Sequence, residues 1–320
     1  MSVNICTLGE LLVEFLSGEF NQSFMRPGAF LGPYPSGAPA IFAAQVARLG
    51  FGSTLFGCVG NDDFGRLNIE RLRLEGVITD GISIVEQAPT GTAFVSYRNQ
   101  TERDFIFNIP NSASGFFTPQ HIDVTLLNQC SHFHIMGSSL FSFRLIDAVR
   151  KAIEIVKANN GTVSFDPNIR KEMLSIPEME QAFDYILDYT DIFMPSEGEL
   201  SHFATRKRQS ERDIVSELLH SGIKHIVIKR GPGGASHYQR RNGSMLEKHL
   251  PGLETQIIDP TGAGDCFGAT FVSLFLAGYS TEDALAYANA SGAIAVSHKG
   301  PMEGLSSLRQ ISRFLERYRQ

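Results

Sequence analysis

Asp259-Pro260-Thr261-Gly262-Ala263-Gly264-Asp265 is the stretch of this chain that decides its fold, because it runs directly into a helical pattern of apolar residues. The pattern follows the i, i+4, i+7 and i+8 spacing of one helix face, at Phe267, Phe271, Leu274 and Phe275. Small residues leave the N–H groups at this helix start uncovered, and a helix start carries partial positive charge. We therefore expect a site for a phosphate, or for the charge that develops on a phosphoryl group during transfer.

Asp265 closes this motif at the edge of the expected anion site. A carboxylate there can accept the proton of an attacking hydroxyl. Taken alone, the motif is equally compatible with an ordinary helix start that carries an aspartate in its first turn. The remaining motifs decide between these two interpretations.

Length and composition indicate a globular protein. The 320 residues are 42% hydrophobic and 19% charged, which suits one large α/β domain over residues 1–320. No apolar run is long enough to span a membrane, and the first residues, MSVNICTLGELLVEF, lack the features of a signal peptide. The net charge of -6 argues against sequence-independent binding of nucleic acid.

The cysteines predict a reducing compartment. Cys6, Cys58, Cys130 and Cys266 are widely spaced, and no Cys-x-x-Cys pair occurs. A disulfide framework or a zinc site is therefore not expected, and the cytoplasm fits best.

Strand-like and helix-like segments alternate along most of the chain, which predicts a mainly parallel sheet covered by helices on both faces. The expected strands are 3–8, 53–59, 131–136, 162–166, 191–194 and 225–230. The expected helices are 38–49, 63–75, 142–158, 178–188, 197–203, 209–220, 263–277 and 281–296. Two β-rich segments, 11–35 and 90–109, interrupt this alternation, and we expect them to form a small sheet that acts as a lid.

Other candidate ligand-binding residues occur at helix starts and strand ends. The small residues Ser36 to Ala40 open a helix and allow close approach of a ligand. Glu14 lies within an apolar run, where it either points outward or accepts hydrogen bonds from a polyhydroxy ligand. Strand ends at 165–170, 194–199 and 229–234 carry polar or glycine-rich segments, and such ends converge in an open α/β sheet. His132 and His134 share a strand face, but buried, hydrogen-bonded histidines are favoured over a metal pair.

These motifs together resemble those of the ribokinase-like (PfkB-type) carbohydrate kinases over nearly the whole chain. Residues 259–265 look like the C-terminal signature of that family. Ser36 to Gly50, followed by Gly57-x-Val59-Gly60-x-Asp62-x-Phe64-Gly65, looks like its N-terminal signature. The resemblance implies a three-layer, Rossmann-like α/β core with a small β-sheet lid. It also implies phosphoryl transfer from MgATP to a sugar hydroxyl.

The resemblance further implies roles for individual residues. Asp265 would be the catalytic base, with an anion hole made by Gly262, Ala263 and Gly264. The nucleotide would lie against Lys229, Gly231, Gly233 and Asn289. The sugar would meet Glu14, Gly37, Asn108 and Arg170. Glu199 would act on Mg²⁺ through water. Many members of the family bind K⁺ at two loops, and the residues that match those loops here are Asp259, Thr261, Ala295, His298 and Gly300.

Three departures from the family pattern concern the sites. Ser36 replaces the first glycine of a Gly-Gly pair, and Ile41 stands where many relatives have a sugar-contacting asparagine. Ser196 replaces the asparagine of an Asn-x-x-Glu motif that ends at Glu199.

The substrate expected from the resemblance is a neutral ketohexose such as fructose or tagatose. Kinases for 2-keto-3-deoxygluconate carry a lid tyrosine and arginine, which match Ile106 and Asn108 here, although Arg170 remains as a cation. The keto-deoxy acid is the alternative. A nucleoside kinase and a non-catalytic sugar sensor also remain open, and the lid strand around 105–107 suggests a homodimer.

Overall fold

The computed structural model describes residues 3–99, 102–169, 179–206 and 208–318. Arg170, which the resemblance assigns to the sugar, lies outside these residues.

Two sheets organise the described chain. The large sheet contains β1 (Asn4–Leu8), β4 (Gly52–Gly60), β5 (Ile82–Val85), β8 (His132–Met136), β9 (Thr162–Asp166), β10 (Ile192–Phe193), β11 (His225–Lys229), β12 (Ala235–Arg241) and β13 (Ser244–Leu250). Its strand order is β13-β12-β11-β10-β9-β8-β1-β4-β5, and the strands from β11 to β5 are parallel. The parallel sheet expected from the alternation is therefore confirmed.

Helices cover both faces of this sheet. They are α1 (Ala38–Arg48), α2 (Asp63–Glu75), α3 (Val124–Leu127), α4 (Phe143–Ala158), α5 (Met179–Tyr189), α6 (Glu197–Leu200), α7 (Glu211–His220), α8 (Ala263–Leu276), α9 (Thr281–Val296) and α10 (Leu308–Glu316). One core cluster joins α4, α5 and α7 to the sheet. Other clusters join α1, α8 and α9 to the opposite face. The result is the expected three-layer, ribokinase-like α/β arrangement.

The small sheet has the strand order β3-β2-β6-β7. It is built from β2 (Leu12–Ser17), β3 (Phe30–Ser36), β6 (Gly91–Tyr97) and β7 (Arg103–Asn108). All four strands fall within the segments 11–35 and 90–109, so the expectation of a small β-sheet is confirmed.

Some elements were not expected from the sequence. β5, the antiparallel edge strands β12 and β13, and the helix α10 were missed. β13 is mostly exposed and lacks the apolar run of a central strand, which explains why its pattern is weak. The segment 197–203 forms a short α-helix followed by a tighter turn of 3₁₀ helix rather than one continuous helix.

None of the helices described here is long and apolar enough to cross a bilayer.

Candidate active site

The start of α8 has the geometry of an anion site. Gly262 caps the helix in a left-handed conformation, with φ 79°. A Cβ at this position would lie 2.5 Å from the carbonyl oxygen of Pro301, so only glycine fits. Gly264 is exposed, and a Cβ there would lie 3.8 Å from Lys229 Nζ. A cationic side chain therefore lies beside the uncovered start of the helix.

A cavity of about 240 Å³ lies on one side of this helix start. Its wall includes Asp265 and Gly262, together with the sequence-predicted residues Glu14 and Gly37. Gly37 has φ 119°, and a Cβ there would lie 2.3 Å from the carbonyl oxygen of Glu10. The structure thus brings the expected sugar-side residues and Asp265 to one cavity, which we call the sugar-side cavity.

Glu14 is fixed in this cavity by the small sheet. It lies on β2 and is buried, and Ser36 on the neighbouring strand donates a hydrogen bond of 2.6 Å to its Oε1. Ser36 is the residue that departs from the family's Gly-Gly pair. The Ser36 hydroxyl orients the Glu14 carboxylate. A glycine at this position has no side chain and could not form this hydrogen bond.

Glu10 is a cavity residue that the sequence reasoning missed. Its side chain is only 4% exposed, and its carboxylate accepts hydrogen bonds from Ser138 (3.1 Å) and Ser139 (2.5 Å). The two adjacent serines lie far from Glu10 in sequence. The carboxylate of Glu10 is buried and hydrogen-bonded to these serines, but the local sequence around Gly9 and Glu10 contains no pattern that predicts a ligand-binding residue.

Strand β7 presents alternate residues to the cavity, and they are not the expected ones. Arg103, Phe105, Phe107 and Ile109 line the sugar-side cavity. Asn108 is exposed and donates a hydrogen bond of 3.1 Å to Thr92 Oγ1, outside this cavity. The structure therefore does not bring Asn108 to the sugar side, because a shift of one residue along a strand reverses the face.

The corrected register changes the argument about an acidic substrate. Ile106 is 45% exposed and does not line the sugar-side cavity. The cavity-facing residues next to the expected positions are Phe107 and Ile109, and both are apolar. No anion-binding pair of tyrosine and arginine is therefore formed there by the described residues, although Arg103 contributes a guanidinium further along the strand.

A second cavity, of about 540 Å³, lies on the other side of the helix start. It is lined by Lys229, Gly231, Gly264 and Asn289 among others, and we call it the nucleotide-side cavity. Asn289 donates a hydrogen bond of 3.1 Å to the Pro251 carbonyl.

Gly233, the remaining expected residue, does not line this cavity, whereas Gly234 does. Gly234 has φ 89°, and a Cβ there would lie 2.1 Å from the Leu250 carbonyl oxygen. The glycine required by close packing is therefore Gly234, one position beyond the expected one.

Lys229, which lines the nucleotide-side cavity, forms a buried ion pair with Asp166. Burial by itself would lower the pKa of Lys229, but the charges of Asp166 and Glu199 outweigh burial and raise this pKa. Asp265 contributes in the same direction. Lys229 is therefore a fixed positive charge at the strand ends, facing the start of α8.

Glu199 is held by three hydrogen bonds. Its Oε1 accepts from the Ile169 N–H (2.7 Å), and its Oε2 accepts from the N–H and the hydroxyl of Ser196 (2.7 Å each). Burial would raise the pKa of Glu199, but the Lys229 charge and these hydrogen bonds lower it. Ser196, a departure from the family motif, thus fixes an ionised carboxylate.

The fit of Glu199 to Mg²⁺ follows from this geometry. Three of about four acceptor sites of the carboxylate are used, which leaves room for one contact through water. Mg²⁺ usually keeps several waters and relies on phosphates for the remaining ligands. Across the described residues, no group of three or more His, Cys, Asp or Glu side chains is placed to hold a metal.

The expected K⁺ loops are arranged around the buried carboxylate of Asp259. Its Oδ1 accepts from the N–H (3.0 Å) and hydroxyl (2.7 Å) of Thr261. Its Oδ2 accepts from the Tyr97 hydroxyl (2.9 Å) and the Gly300 N–H (3.0 Å). These donors use all of about four acceptor sites, so this carboxylate does not fit a cation ligand.

The two other residues expected at K⁺ lie near these loops. Ala295 is buried, and its carbonyl accepts a hydrogen bond from the His298 N–H (3.2 Å). The His298 side chain is exposed and lies against the Ile294 carbonyl.

His132 and His134, which share a strand face, are both buried and hydrogen-bonded. His132 shares hydrogen bonds with Thr162 and Ser164, and His134 shares one with the same Ser164 hydroxyl. His134 also stacks on Phe42 at 3.7 Å between ring centroids. The interpretation of these residues as core histidines is supported.

With this geometry established, comparison with known proteins identifies the class. Residues 6–308 match the description "pfkB family carbohydrate kinase". The chain belongs to the pfkB family of carbohydrate kinases, and it is a phosphotransferase with a hydroxyl acceptor.

Individual relatives add detail. The chain is 32% identical to Fructokinase-1 of Oryza sativa subsp. japonica, over 98% of this chain and 97% of that protein, and equally identical to Fructokinase-1 of Zea mays, over 98% of each. Among solved structures, it is similar to a putative Ribokinase II from E. coli in complex with ATP and Mg²⁺. That similarity has 48% identity, a TM-score of 0.92, and covers 98% of this chain and 99% of that one.

Proposed function

We propose that this chain transfers the γ-phosphoryl group of ATP to a hydroxyl of a neutral ketohexose of the fructose or tagatose type. The carrying observation is that the sugar-side and nucleotide-side cavities meet at one helix start, where residues 261–262 and 265 line one cavity and residues 263–264 line the other. A phosphoryl group that passes between the cavities must cross the uncovered amides of Gly262 to Gly264. The catalytic roles given below are part of this proposal.

In the proposed mechanism, Asp265 accepts the proton of the attacking sugar hydroxyl. The amides of Gly262, Ala263 and Gly264 and the Lys229 ammonium stabilise the negative charge on the transferred group. Phosphoryl transfer depends mainly on positioning and charge stabilisation, and these residues supply both kinds of interaction. Glu14 and Gly37 position the sugar, and Asn289 lies where the far part of the nucleotide would bind.

Mg²⁺ is part of the proposal, as the charge-neutralising ion on the ATP phosphates. Glu199 would hold a water in its coordination sphere, and Lys229 would meet the phosphates directly. The similar E. coli protein that binds ATP and Mg²⁺ supports this assignment. K⁺ is left out of the mechanism, because the Asp259 carboxylate is already saturated with donors.

The proposed substrate rests on three observations. Curated relatives at about one-third identity are named fructokinases. The sugar-side cavity of about 240 Å³ lies below the roughly 300 Å³ at which pockets for larger ligands begin, so it suits a monosaccharide better than a nucleoside. Phe107 and Ile109 offer no partner for a carboxylate, and Arg103, the guanidinium in the same wall, donates a hydrogen bond to Thr261 Oγ1.

A panel of ATP-coupled assays tests the substrate. The acceptors are fructose, tagatose, ribose, adenosine and 2-keto-3-deoxygluconate, and ribose is included because the E. coli relative is named a putative Ribokinase II. We expect a ketohexose to give the highest kcat/KM, by about 10-fold or more. Higher kcat/KM with ribose, or activity with the keto-deoxy acid alone, would contradict the substrate assignment. Sugar binding without turnover would favour the non-catalytic sensor instead.

The proposed assembly is a homodimer through the outer face of the small sheet. Ile106 and Met25 are 45% and 91% exposed and line one shallow depression there, whereas Phe105 and Phe107 line the inner cavity. Light scattering on Ile106→Asp should give a monomer if the wild type is a dimer. Leu74→Asp is the matched control, because Leu74 is exposed on α2 and does not line this depression. A monomeric wild type, or a dimer in Ile106→Asp, would contradict the proposed assembly.

The proposed location is the cytoplasm, where ATP is abundant. All four cysteines are free and buried, as is common for thiols in a reducing compartment.

A further inference from the structure

We propose that Tyr97 and Arg103, two residues of the small sheet, couple closure of that sheet over the sugar to the geometry of the anion-hole loop, residues 259–264. This inference rests on the proposed function, because it concerns the reaction at the same site. It assigns to the two side chains a positioning role that neither the sequence motifs nor the family resemblance predicts.

The two residues form one cross-strand pair. Tyr97 on β6 lies directly opposite Arg103 on β7 in the antiparallel register. Residues opposite each other in such a pair project to the same face of the sheet. Both side chains therefore point together toward whatever the small sheet covers.

What they cover is the anion-hole loop. The Tyr97 hydroxyl donates a hydrogen bond of 2.9 Å to Asp259 Oδ2, and Arg103 Nη1 donates one of 2.6 Å to Thr261 Oγ1. Asp259 and Thr261 are two positions apart, and Thr261 directly precedes Gly262. A single pair on the small sheet thus holds the segment that leads into the uncovered helix start.

Asp259 connects this pair to the rest of the loop. It is fully buried, and through its two oxygens it joins Tyr97, the Thr261 backbone and side chain, and the Gly300 N–H. Losing the Tyr97 hydroxyl leaves a buried charged acceptor short of one donor, which is costly. The position of Asp259, and with it that of the loop, therefore depends on the position of the small sheet.

Arg103 connects the same loop to the sugar. Its guanidinium lies 5.2 Å from the centroid of the Phe105 ring, and both side chains line the sugar-side cavity. A sugar that packs against this wall also stabilises the arginine in the position that holds Thr261. Binding of the sugar would thereby favour the loop geometry that phosphoryl transfer requires, and little ATP would be hydrolysed without sugar.

The variants that test this coupling remove donors with little change of shape. Tyr97→Phe removes one hydroxyl, Arg103→Met removes the guanidinium, and Arg103→Lys returns one cation and donor. Tyr238→Phe is the matched control, because the Tyr238 hydroxyl is also buried and donates to a carboxylate, Glu211 at 2.9 Å, on the far strand β12. Each protein is assayed for kcat, sugar KM, ATP hydrolysis without sugar, and thermal unfolding.

We expect Tyr97→Phe and Arg103→Met to lower kcat by roughly 10-fold or more, as the loss of a hydrogen bond to a buried charged or catalytic segment predicts. The ratio of sugar-dependent to sugar-independent ATP turnover should fall in the same variants. Arg103→Lys should recover part of kcat, and Tyr238→Phe should lose thermal stability without a loss of kcat. A kcat within about 2-fold of wild type in Tyr97→Phe, or a rise of sugar KM alone in Arg103→Met, would overturn the coupling.

Hydrogen exchange on the wild-type protein provides a readout that does not depend on the variants folding. Sugar should slow exchange in peptides that cover residues 259–266, and absence of such protection would overturn the coupling. A wild type that phosphorylates none of the sugars would refute the proposed function instead. If the wild-type protein phosphorylates a sugar but the sugar does not slow exchange in residues 259–266, only the present inference is refuted.

Discussion

Lys229 and Asp166 form a buried ion pair between the last residues of two strands that have one strand between them. The pair fixes the Lys229 ammonium beside Gly264, at the start of α8. This relationship joins the strand ends of the large sheet to the helix start that carries Asp265. A positive charge is thereby placed where the phosphates of a nucleotide would meet the sugar.

Replacing the lysine should therefore impair both binding and turnover of ATP. Lys229→Met removes a charge aimed at the transferred group, and we expect kcat/KM for ATP to fall on the order of 10²-fold. Lys224→Met is the control, since Lys224 also pairs with an aspartate, Asp191, but is 65% exposed. Steady-state kinetics with ATP as the varied substrate measures both. Equal effects of the two substitutions would contradict a specific role for Lys229.

The two glycines of the anion hole should tolerate a methyl group differently. Gly262→Ala would place Cβ 2.5 Å from the Pro301 carbonyl oxygen in a left-handed conformation, so the loop must move. We expect a loss of roughly 10²-fold in kcat, together with reduced stability. Gly264→Ala meets only Lys229 Nζ at 3.8 Å and should fold with wild-type stability, with its effect confined to ATP binding. Thermal unfolding and steady-state kinetics of both variants test this difference. A fully active Gly262→Ala would contradict the assignment of Gly262 to the anion hole.

Acid pH should destabilise the fold through buried histidines. Burial lowers the pKa of His132 and of His237 to about 3, and it lowers that of His134 well below its usual value. These residues stay neutral in the folded chain, whereas the unfolded chain takes up protons as pH falls below 6.5. The free energy of unfolding should therefore decrease as pH falls below that value, by up to about 1.4 kcal/mol per pH unit for each histidine.

Urea denaturation between about pH 7 and about pH 5 measures this slope. His132→Gln removes one of the titrating groups and should reduce the slope by up to about 1.4 kcal/mol per pH unit. An unchanged slope in that variant would contradict the linkage to His132.

Activity should depend little on K⁺. The Asp259 carboxylate accepts four hydrogen bonds from protein groups, so the loop is ordered without a cation ligand. Replacing K⁺ by tetramethylammonium at constant ionic strength should change kcat by less than about 2-fold. It should change the thermal unfolding temperature by only a few degrees. Strong K⁺ activation together with a K⁺-dependent stabilisation would show that the carboxylate is rearranged to bind the ion.

The sequence predicted the layers and the helix start well, because both depend on local patterns. Strand and helix periodicity placed α4 and α9 within a residue or two, and the glycines of 262–264 mark an anion site by composition alone. Glu14, Gly37, Lys229 and Asp265 line the two cavities, and the sequence could propose them because each lies in or beside a recognisable pattern.

The missed residues depend on contacts between distant segments. Glu10 acquires its surroundings from Ser138 and Ser139, and Arg103 acquires its partner from Thr261. The structure places Asn108 outside the sugar-side cavity, and the sequence could not predict this because a lone sequence does not fix which face of a half-buried strand points inward. Saturation of Asp259 by donors from three segments was likewise invisible in its motif.

Asp265→Asn is the measurement that tests the central claim most directly. The substitution keeps the size of the side chain and removes the base, so we expect sugar and ATP binding to be preserved while kcat falls by at least ~10²-fold. Asp283→Asn is the matched control, because Asp283 also lies in the first turn of a helix, α9, but hydrogen-bonds to Ser280 and lines neither cavity. Isothermal titration for binding and a coupled assay for turnover give the result. Near-wild-type kcat in Asp265→Asn, or an equal loss in Asp283→Asn, would contradict the account and return Asp265 to the role of an ordinary first-turn aspartate.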